Sequence, residues 1–222
     1  MPYLYILSES ERDELFYELI AERVAGHAFE RPADFRTRRG ANLASALAAG
    51  RLLLNRFKNW SEPQNVAIIL AVDNDRAPSH PGSSPHPRPL VGHDLKKAPR
   101  HPALVKMVGA ALGADRSTWP VDVAVAMPVE MIESWALLLC NPLRPSLPLF
   151  AKSSQPSAHF YYGAKPPPQL KDIRDAEAAE LRQSLDEYFW HAGEQNLEAA
   201  MAVSLSLRMF VEEIRQWRSP SH

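Results

Sequence analysis

Three things are scarce in this chain of 222 residues: cysteine, long apolar runs and net charge. Cys140 is the only cysteine, so no disulfide can form within the chain, and nothing in the sequence points to secretion. No apolar run approaches the roughly 18 residues of a transmembrane helix, and no signal peptide is recognisable. These absences predict a soluble cytoplasmic protein without a membrane partner.

The formal net charge is −1, but the charges are distributed unevenly along the sequence. Residues 31–58 contain seven Lys or Arg and one acid, residues 76–106 contain six and one, and the acids concentrate between 172 and 213. A surface segregated in this way can present one basic face to nucleic acid. With 45% hydrophobic residues, the chain can bury the core of one sizeable α/β domain, or of a smaller one with a helical extension.

The stretch from Val66 to Val72 is the clearest structural signal in the sequence. Seven consecutive apolar residues, without polar alternation, predict a strand that is covered on both faces, as in a parallel α/β sheet. Asp73-Asn74-Asp75 follows at once, at the end of the strand where α/β proteins place their ligands. The two carboxylates either cap a solvated turn or bind a hard cation such as Mg²⁺, which prefers oxygen ligands.

Apolar periodicity predicts the remaining elements on either side of this strand. We expect two further strands, at 3–7 and 121–127, and a brief one at 27–31. Helices are predicted from Ser8–Glu11 to Gly26 and at 42–57, 103–112, 128–139, 170–190 and 197–217. The expected fold is α/β, with a mainly parallel sheet of about four strands flanked by helices and a C-terminal helical hairpin. We place an α/β domain at 1–145 and a helical extension packed on it at 146–222.

A proline-rich segment from Arg76 to Pro102 is predicted to be a long loop. It contains His80, His86, His93 and His101, but their separations match no compact zinc pattern and no cysteine joins them. We interpret the segment as a mobile basic loop whose histidines titrate near neutrality.

Further acids fall at the ends of the other two strands. Glu9 follows the first strand, with Glu11 close by, and Glu130 and Glu133 share a face at the start of a helix in Glu130-Met131-Ile132-Glu133-Ser134-Trp135-Ala136-Leu137. Glu130 also suits the helix dipole. Trp135 projects to another side of this helix and is predicted to be buried.

A Glu after the first strand, an Asp-x-Asp after a later strand and a Glu-x-x-Glu-x-Trp helix resemble the Toprim fold of topoisomerases, primases and OLD-type nucleases. The chain is most similar to a family of small bacterial Toprim-like proteins. The family has Glu-Gly after the first strand where this chain has Glu9-Ser10, so the N-terminal acid is either Glu9 or Glu11.

The resemblance implies a nuclease-like enzyme that uses Mg²⁺ or Mn²⁺ to cleave nucleic-acid phosphodiesters, in bacterial defence or DNA repair and beside an ATPase partner. The implied catalytic residues are Glu9, Glu11, Asp73, Asp75 and Glu133, and the implied metal ligands are Glu9, Asp73, Asp75, Glu130 and Glu133. Arg76, Lys96, Lys97 and Arg100 are expected to hold the nucleic-acid backbone. A homodimer is compatible with the sequence.

Two alternatives stay open. One is a Toprim-shaped binding or regulatory subunit of an ATPase complex, without turnover. The other is an Asp-x-Asp glycosyltransferase, which Glu130, Glu133 and the acidic turn near the N-terminus disfavour. An EF-hand loop does not fit, because Ala77 and Pro78 stand where a ligand and a glycine are needed.

Overall fold

A parallel sheet carries the core of the computed structural model, which describes residues 1–8, 11–32, 43–60, 65–72, 100–128, 135, 139, 194–203 and 205–218. Its strands are β1 (Tyr3–Leu7), β2 (Val66–Ala71) and β3 (Asp122–Ala126), in the order β1-β2-β3. The central strand β2 is buried at every residue, because both faces of the sheet are covered. The sequence therefore predicts each of these strands to within one residue at either end, and the α/β class is confirmed.

Five helices and one short 3-10 turn accompany the sheet in the part of the chain that the structure describes. They are α1 (Glu11–Ala25), α2 (Leu43–Phe57), α3 (Arg100–Leu112), the 3-10 turn Arg116–Thr118, α4 (Glu194–Val203) and α5 (Leu205–Arg215). α1 and α3 each end at a glycine with positive φ, Gly26 at 74° and Gly113 at 101°. Both helix ends are where the sequence predicts them.

Three expectations need correction. α3 begins at Arg100 rather than at Ala103, so His101 and Pro102 lie in its first turn, where a proline loses no helical hydrogen bond. The short strand predicted at 27–31 is reduced to one parallel bridge between Glu30 and Tyr3. The helix predicted from 197 begins at Glu194, as α4, and α5 follows from Leu205, with Ser204 between them outside the described residues.

The two faces of the sheet are packed differently. On one face, large side chains of the strands pack against α2 and α3 in a single buried cluster that includes Leu54, Phe57, Ile68, Leu70, Leu104, Met107, Val123 and Val125. Residues that alternate with these along the strands face the other way, and several of them are alanines (Ala67, Ala71, Ala124, Ala126). Helix α1 lies on this second side, where Tyr17 packs edge-to-face on Phe210 with the ring centroids 5.9 Å apart.

The chain divides into two compact units, the first made of Met1–Val72, Ala98–Met127 and Phe210–His222 and the second of Asp73–Lys97 and Pro128–Met209. In the second unit, Trp135 is 1% exposed and its indole N–H donates to Ser206 Oγ at 3.1 Å. The predicted burial of Trp135 is confirmed. The predicted helix at 170–190 and the domain boundary at 145 lie outside the described residues. Among the described helices, none is both long and apolar enough to span a membrane.

Candidate functional site

The carboxyl ends of the three strands lie side by side, and we call this the carboxyl edge. Leu7 is paired with Leu70, Leu70 with Val125, and Ala71 with Ala126. One residue further on, the Val72 N–H still donates to the Ala126 carbonyl at 3.1 Å. The residues at which the chain leaves the sheet are buried (Ser8, Val72 and Met127). The sheet therefore delivers three chain segments to neighbouring points on one edge.

The predicted carboxylates come next in the sequence. Glu9 follows Ser8, Asp73 follows Val72, and Glu130 comes three residues after Met127. Glu9, Asp73, Asp75, Glu130 and Glu133 all lie outside the described residues, as do Arg76, Lys96 and Lys97. For Glu11 and Arg100 the structure gives the backbone alone, as the first residues of α1 and α3. What the structure brings together is the set of strand ends from which these residues follow.

His101 is a residue near this edge that the sequence analysis misjudged. Residues 113–121 connect the end of α3 to the start of β3, so the amino end of α3 lies toward the carboxyl edge. His101 lies in the first turn and is 8% exposed, and burial lowers the pKa of its imidazole below 6.5. It is therefore a buried helical histidine, and the expectation that it lies in a loop is wrong. Pro102 was the missed signal, because proline is as typical of a first helical turn as of a loop.

A row of acids on α1 was also missed. Glu14 and Glu18 are both buried, and both pair with Arg31, with the Glu18 Oε2 to Arg31 Nη1 distance at 3.5 Å. One turn further along, Glu22 Oε1 accepts a hydrogen bond from the Phe29 N–H at 3.2 Å. Spacing of four residues places these three carboxylates on one face of the helix. They tie the segment after Gly26 back onto α1, which is a structural role.

Two charged side chains cover the outer edge of β3, and we call them the edge cap. The Arg116 guanidinium donates to the Val123 carbonyl at 2.7 Å, and Glu213 Oε2 accepts from the Val125 N–H at 2.7 Å. These are the two hydrogen bonds that one residue of a further parallel strand would make. The cap closes with an ion pair between Arg116 Nη1 and Glu213 Oε1 at 3.4 Å.

Local structure positions each member of the edge cap. Asp115 accepts hydrogen bonds from the N–H and the hydroxyl of Ser117, at 2.9 and 2.7 Å, and so fixes the 3-10 turn that carries Arg116. These bonds lower the pKa of Asp115. Arg116 also lies over the Trp119 ring, with 5.2 Å from Cζ to the ring centroid.

Burial raises the pKa of Glu213, and the Val125 N–H and Arg116 offset part of that rise. Beside the cap, Asp122 forms an ion pair with Arg218 at 3.1 Å, and its pKa is likewise raised by burial. Both acids are thus held in the folded protein at a desolvation cost that hydrogen bonds and cations reduce.

A cleft of about 290 Å³ opens beside the edge cap. Its walls are mostly apolar and come from α3, the 113–121 connection and β3, with the two charges of the cap at one side: Val105, Val108, Gly109, Ala114, Arg116, Trp119, Val123, Val125 and Glu213. Among the residues that the structure describes, no group of three or more His, Cys, Asp or Glu side chains is arranged to hold a metal ion. The described residues therefore offer no second metal site beside the predicted one.

Comparison of the chain with protein-family models, with curated proteins and with solved structures found no match.

Proposed function

We propose that the chain is a Mg²⁺- or Mn²⁺-dependent enzyme that cleaves nucleic-acid phosphodiesters, built on a Toprim-like sheet of about four strands. One observation carries the proposal. Asp73-Asn74-Asp75 follows the central, fully buried strand, at the edge where all three described strands end in register. Binding sites in α/β folds lie at this edge, because the loops that leave adjacent strands converge there.

In this proposal Asp73 and Asp75 are the principal metal ligands. Glu9 after β1 or Glu11 at the start of α1, and Glu130 and Glu133 from the segment after β3, complete the site directly or through water. Carboxylate oxygens are the donors that Mg²⁺ and Mn²⁺ favour. A bound ion would neutralise charge that develops on the phosphate and would activate a water molecule.

The substrate backbone is assigned to Arg76, Lys96, Lys97 and Arg100. The described start of α3 supports the last of these, because Arg100 is its first residue and the amino end of α3 lies toward the carboxyl edge. Cationic side chains at this position would hold phosphates next to the metal ligands.

The test of the metal site is thermal unfolding with and without Mn²⁺. Mn²⁺ at about 100 times its Kd should stabilise the folded protein by about 2.7 kcal/mol, since it binds that state alone. Asp73→Asn and Asp75→Asn should each abolish the shift, whereas Glu212→Gln, which alters an exposed carboxylate of α5, should leave it intact. If the double Asn variant is stabilised as much as the wild type, the metal binds elsewhere and the proposal fails.

One sequence observation favours a second candidate, a Toprim-shaped regulatory subunit of an ATPase complex. Ser10 stands where the similar family has glycine after the first acid. Incubation of the purified protein with plasmid and Mn²⁺ separates the two. Metal-dependent cleavage that Asp73→Asn abolishes supports the enzyme, and a metal-dependent shift in stability without cleavage supports the subunit.

A further inference from the structure

Helices α2 and α3 form one layer over the sheet, and this layer contains no acidic residue. Residues 43–60 and 100–112 include Arg51, Arg56, Lys58, Arg100 and Lys106 but neither Asp nor Glu. We call these two stretches the acid-free layer. Its helices cross closely, because a Cβ at Gly50 would lie 2.7 Å from Met107 Cε.

The apolar side of the acid-free layer is already used by the core. Leu53, Leu54 and Phe57 of α2 pack with Leu104 and Met107 of α3 against the strands. What remains for a partner is the outer side, where cationic side chains stand among exposed apolar ones, Leu52, Trp60 and Val105.

Three cations on that outer side are available for binding. Arg51, Lys58 and Lys106 are exposed, and within the described part of the chain none of them forms an ion pair. Arg51 lies on the exposed face of α2 next to Asn55, whose amide is also exposed. Unpaired cations on helices that contain no acid attract a polyanion, because no carboxylate within residues 43–60 or 100–112 competes for the charge.

An aromatic side chain stands at one end of the same surface. Trp60 is 43% exposed, and its ring is held edge-to-face on Phe57 with the centroids 4.7 Å apart. Phe57 in turn packs edge-to-face on Tyr5 at 5.5 Å. Trp60 therefore offers part of a rigidly supported ring to solvent, and a supported ring of this kind provides a stacking platform for a nucleic-acid base.

Helix α1, on the opposite side of the sheet, is mainly acidic. α1 contains Glu11, Asp13, Glu14, Glu18 and Glu22 against two arginines. The net charge of −1 therefore conceals an uneven distribution of charge between α1 and the acid-free layer, and the layer is the more attractive of the two to a polyanion.

We propose that the outer side of the acid-free layer binds single-stranded nucleic acid, with Arg51, Lys58 and Lys106 on phosphates and Trp60 stacked on a base. The proposal extends the nuclease function, because it names a surface that holds substrate away from the metal ligands, but it requires neither metal nor cleavage. A lipid surface is the less suitable polyanion. An interfacial helix inserts a broad apolar face, and that face of α2 is buried in the core. Among the side chains of the layer that the structure describes, the exposed large apolar ones are Leu52, Trp60 and Val105, which come from two helices and a helix end and form no single helical face.

The experiment measures fluorescence anisotropy of labelled 12-nucleotide poly-dT and poly-U strands and of a 12-base-pair duplex. It is run in EDTA at several salt concentrations, so that the metal site has no part in it. Combined Arg51→Gln, Lys58→Gln and Lys106→Gln should weaken binding and lower the salt slope by about 2, since three phosphate contacts of about 0.7 each are lost on a single strand. The matched control combines Arg23→Gln, Arg208→Gln and Arg215→Gln, which removes the same charge from helices outside the layer. It should bind like the wild type.

Trp60→Ala tests the stacking contact and should weaken single-strand binding by at least about fivefold while leaving the duplex nearly unaffected. Thermal unfolding of every variant establishes that it is folded. Unchanged affinity and salt slope in the triple variant overturn the proposal, and so does binding to phosphatidylserine vesicles without binding to any strand. Weaker binding by the triple variant in EDTA supports the proposal whether or not Mn²⁺ shifts the stability of the protein. Failure of this proposal is therefore distinct from failure of the metal site.

Discussion

The contacts and burial of the edge cap predict how much Glu213 contributes to stability. Glu213→Ala removes the carboxylate that accepts the Val125 N–H at 2.7 Å, whereas Glu213→Gln keeps an oxygen in the same place. Val125 is 5% exposed, so its N–H would be left without a partner in a largely dry environment. The alanine variant should therefore be clearly less stable than the glutamine variant.

The magnitude follows from the two interactions that Glu213 makes. An unsatisfied buried N–H costs about 1–3 kcal/mol. The ion pair with Arg116 adds less than about 1 kcal/mol, because the Arg116 side chain is 40% exposed and solvent screens it. A loss of about 2 kcal/mol would lower the Tm by about 4–8 °C in a protein of this size. Glu213→Gln should stay within about 1 kcal/mol of the wild type at neutral pH, because the desolvation cost of the charge disappears together with the ion pair.

The pH dependence provides an independent check on the same residue. Burial raises the pKa of Glu213 above its ordinary value of 4.5, so the folded state holds this proton more tightly than the unfolded state does. The resulting stability is fully present below pH 4.5 and is lost as the pH rises through the raised pKa. Wild type should therefore lose stability relative to Glu213→Gln as the pH increases across this range.

Thermal unfolding of wild type, Glu213→Gln and Glu213→Ala between pH 4 and pH 8 measures all of these quantities. Size-exclusion chromatography adds a second readout, because an uncovered strand edge favours association between chains. Equal Tm values for the alanine and glutamine variants at pH 7 would contradict the hydrogen-bond argument. A stability difference between wild type and Glu213→Gln that does not change with pH would contradict the pKa argument.

Three further predictions concern other described residues. Trp135→Phe should cost about 1–3 kcal/mol in urea unfolding, since the phenyl ring still fills space but cannot donate to Ser206; an unchanged midpoint would show that this bond contributes little. Gly113→Ala should destabilise the protein by about 1–2 kcal/mol, because residue 113 has a φ of 101°. Gly109→Ala should stabilise it by about 0.5–1 kcal/mol, because the added methyl meets open space within a helix. A change of the same sign in both variants would refute the backbone argument. Arg31→Gln should lower the free energy of unfolding by about 3 kcal/mol, which is the low end for a buried ion pair because the Arg31 side chain is 31% exposed. If high salt lowers the stability of the wild type by the same amount, the pair is a surface interaction instead.

Short-range patterns were enough to predict most of the described fold. An unbroken apolar run predicts β2 because a strand with two covered faces has no polar position. Gly26 and Gly113 predict helix ends because both adopt positive φ, which other residues rarely do. Trp135 was predicted to be buried from its position relative to Glu133 on the helix. Each of these inferences depends on residues close together in the sequence.

Interactions between distant residues could not be predicted in this way. The edge cap joins Arg116 to Glu213 and Val125 to Glu213, and no local pattern around any of the three residues indicates the contact. His101 was misjudged because a proline-rich approach to α3 masks its first turn. For the candidate metal site, the sequence supplies the acids and the structure supplies the aligned strand ends, and the metal ligands themselves stay a prediction.

The edge cap also has a consequence for the synthesis of the chain on the ribosome. All three strands are complete once Ala126 has been made, but Glu213 is 88 residues later than the Val125 N–H that it covers. At 5–20 residues per second, the outer edge of β3 would wait about 4–18 s for its acceptor. During that interval the nascent sheet presents open hydrogen-bonding groups to other nascent chains. A chaperone that binds extended segments would therefore recognise this protein during that interval, and neighbouring chains on one messenger RNA could associate through the open edge. Both end once Glu213 has bound the Val125 N–H.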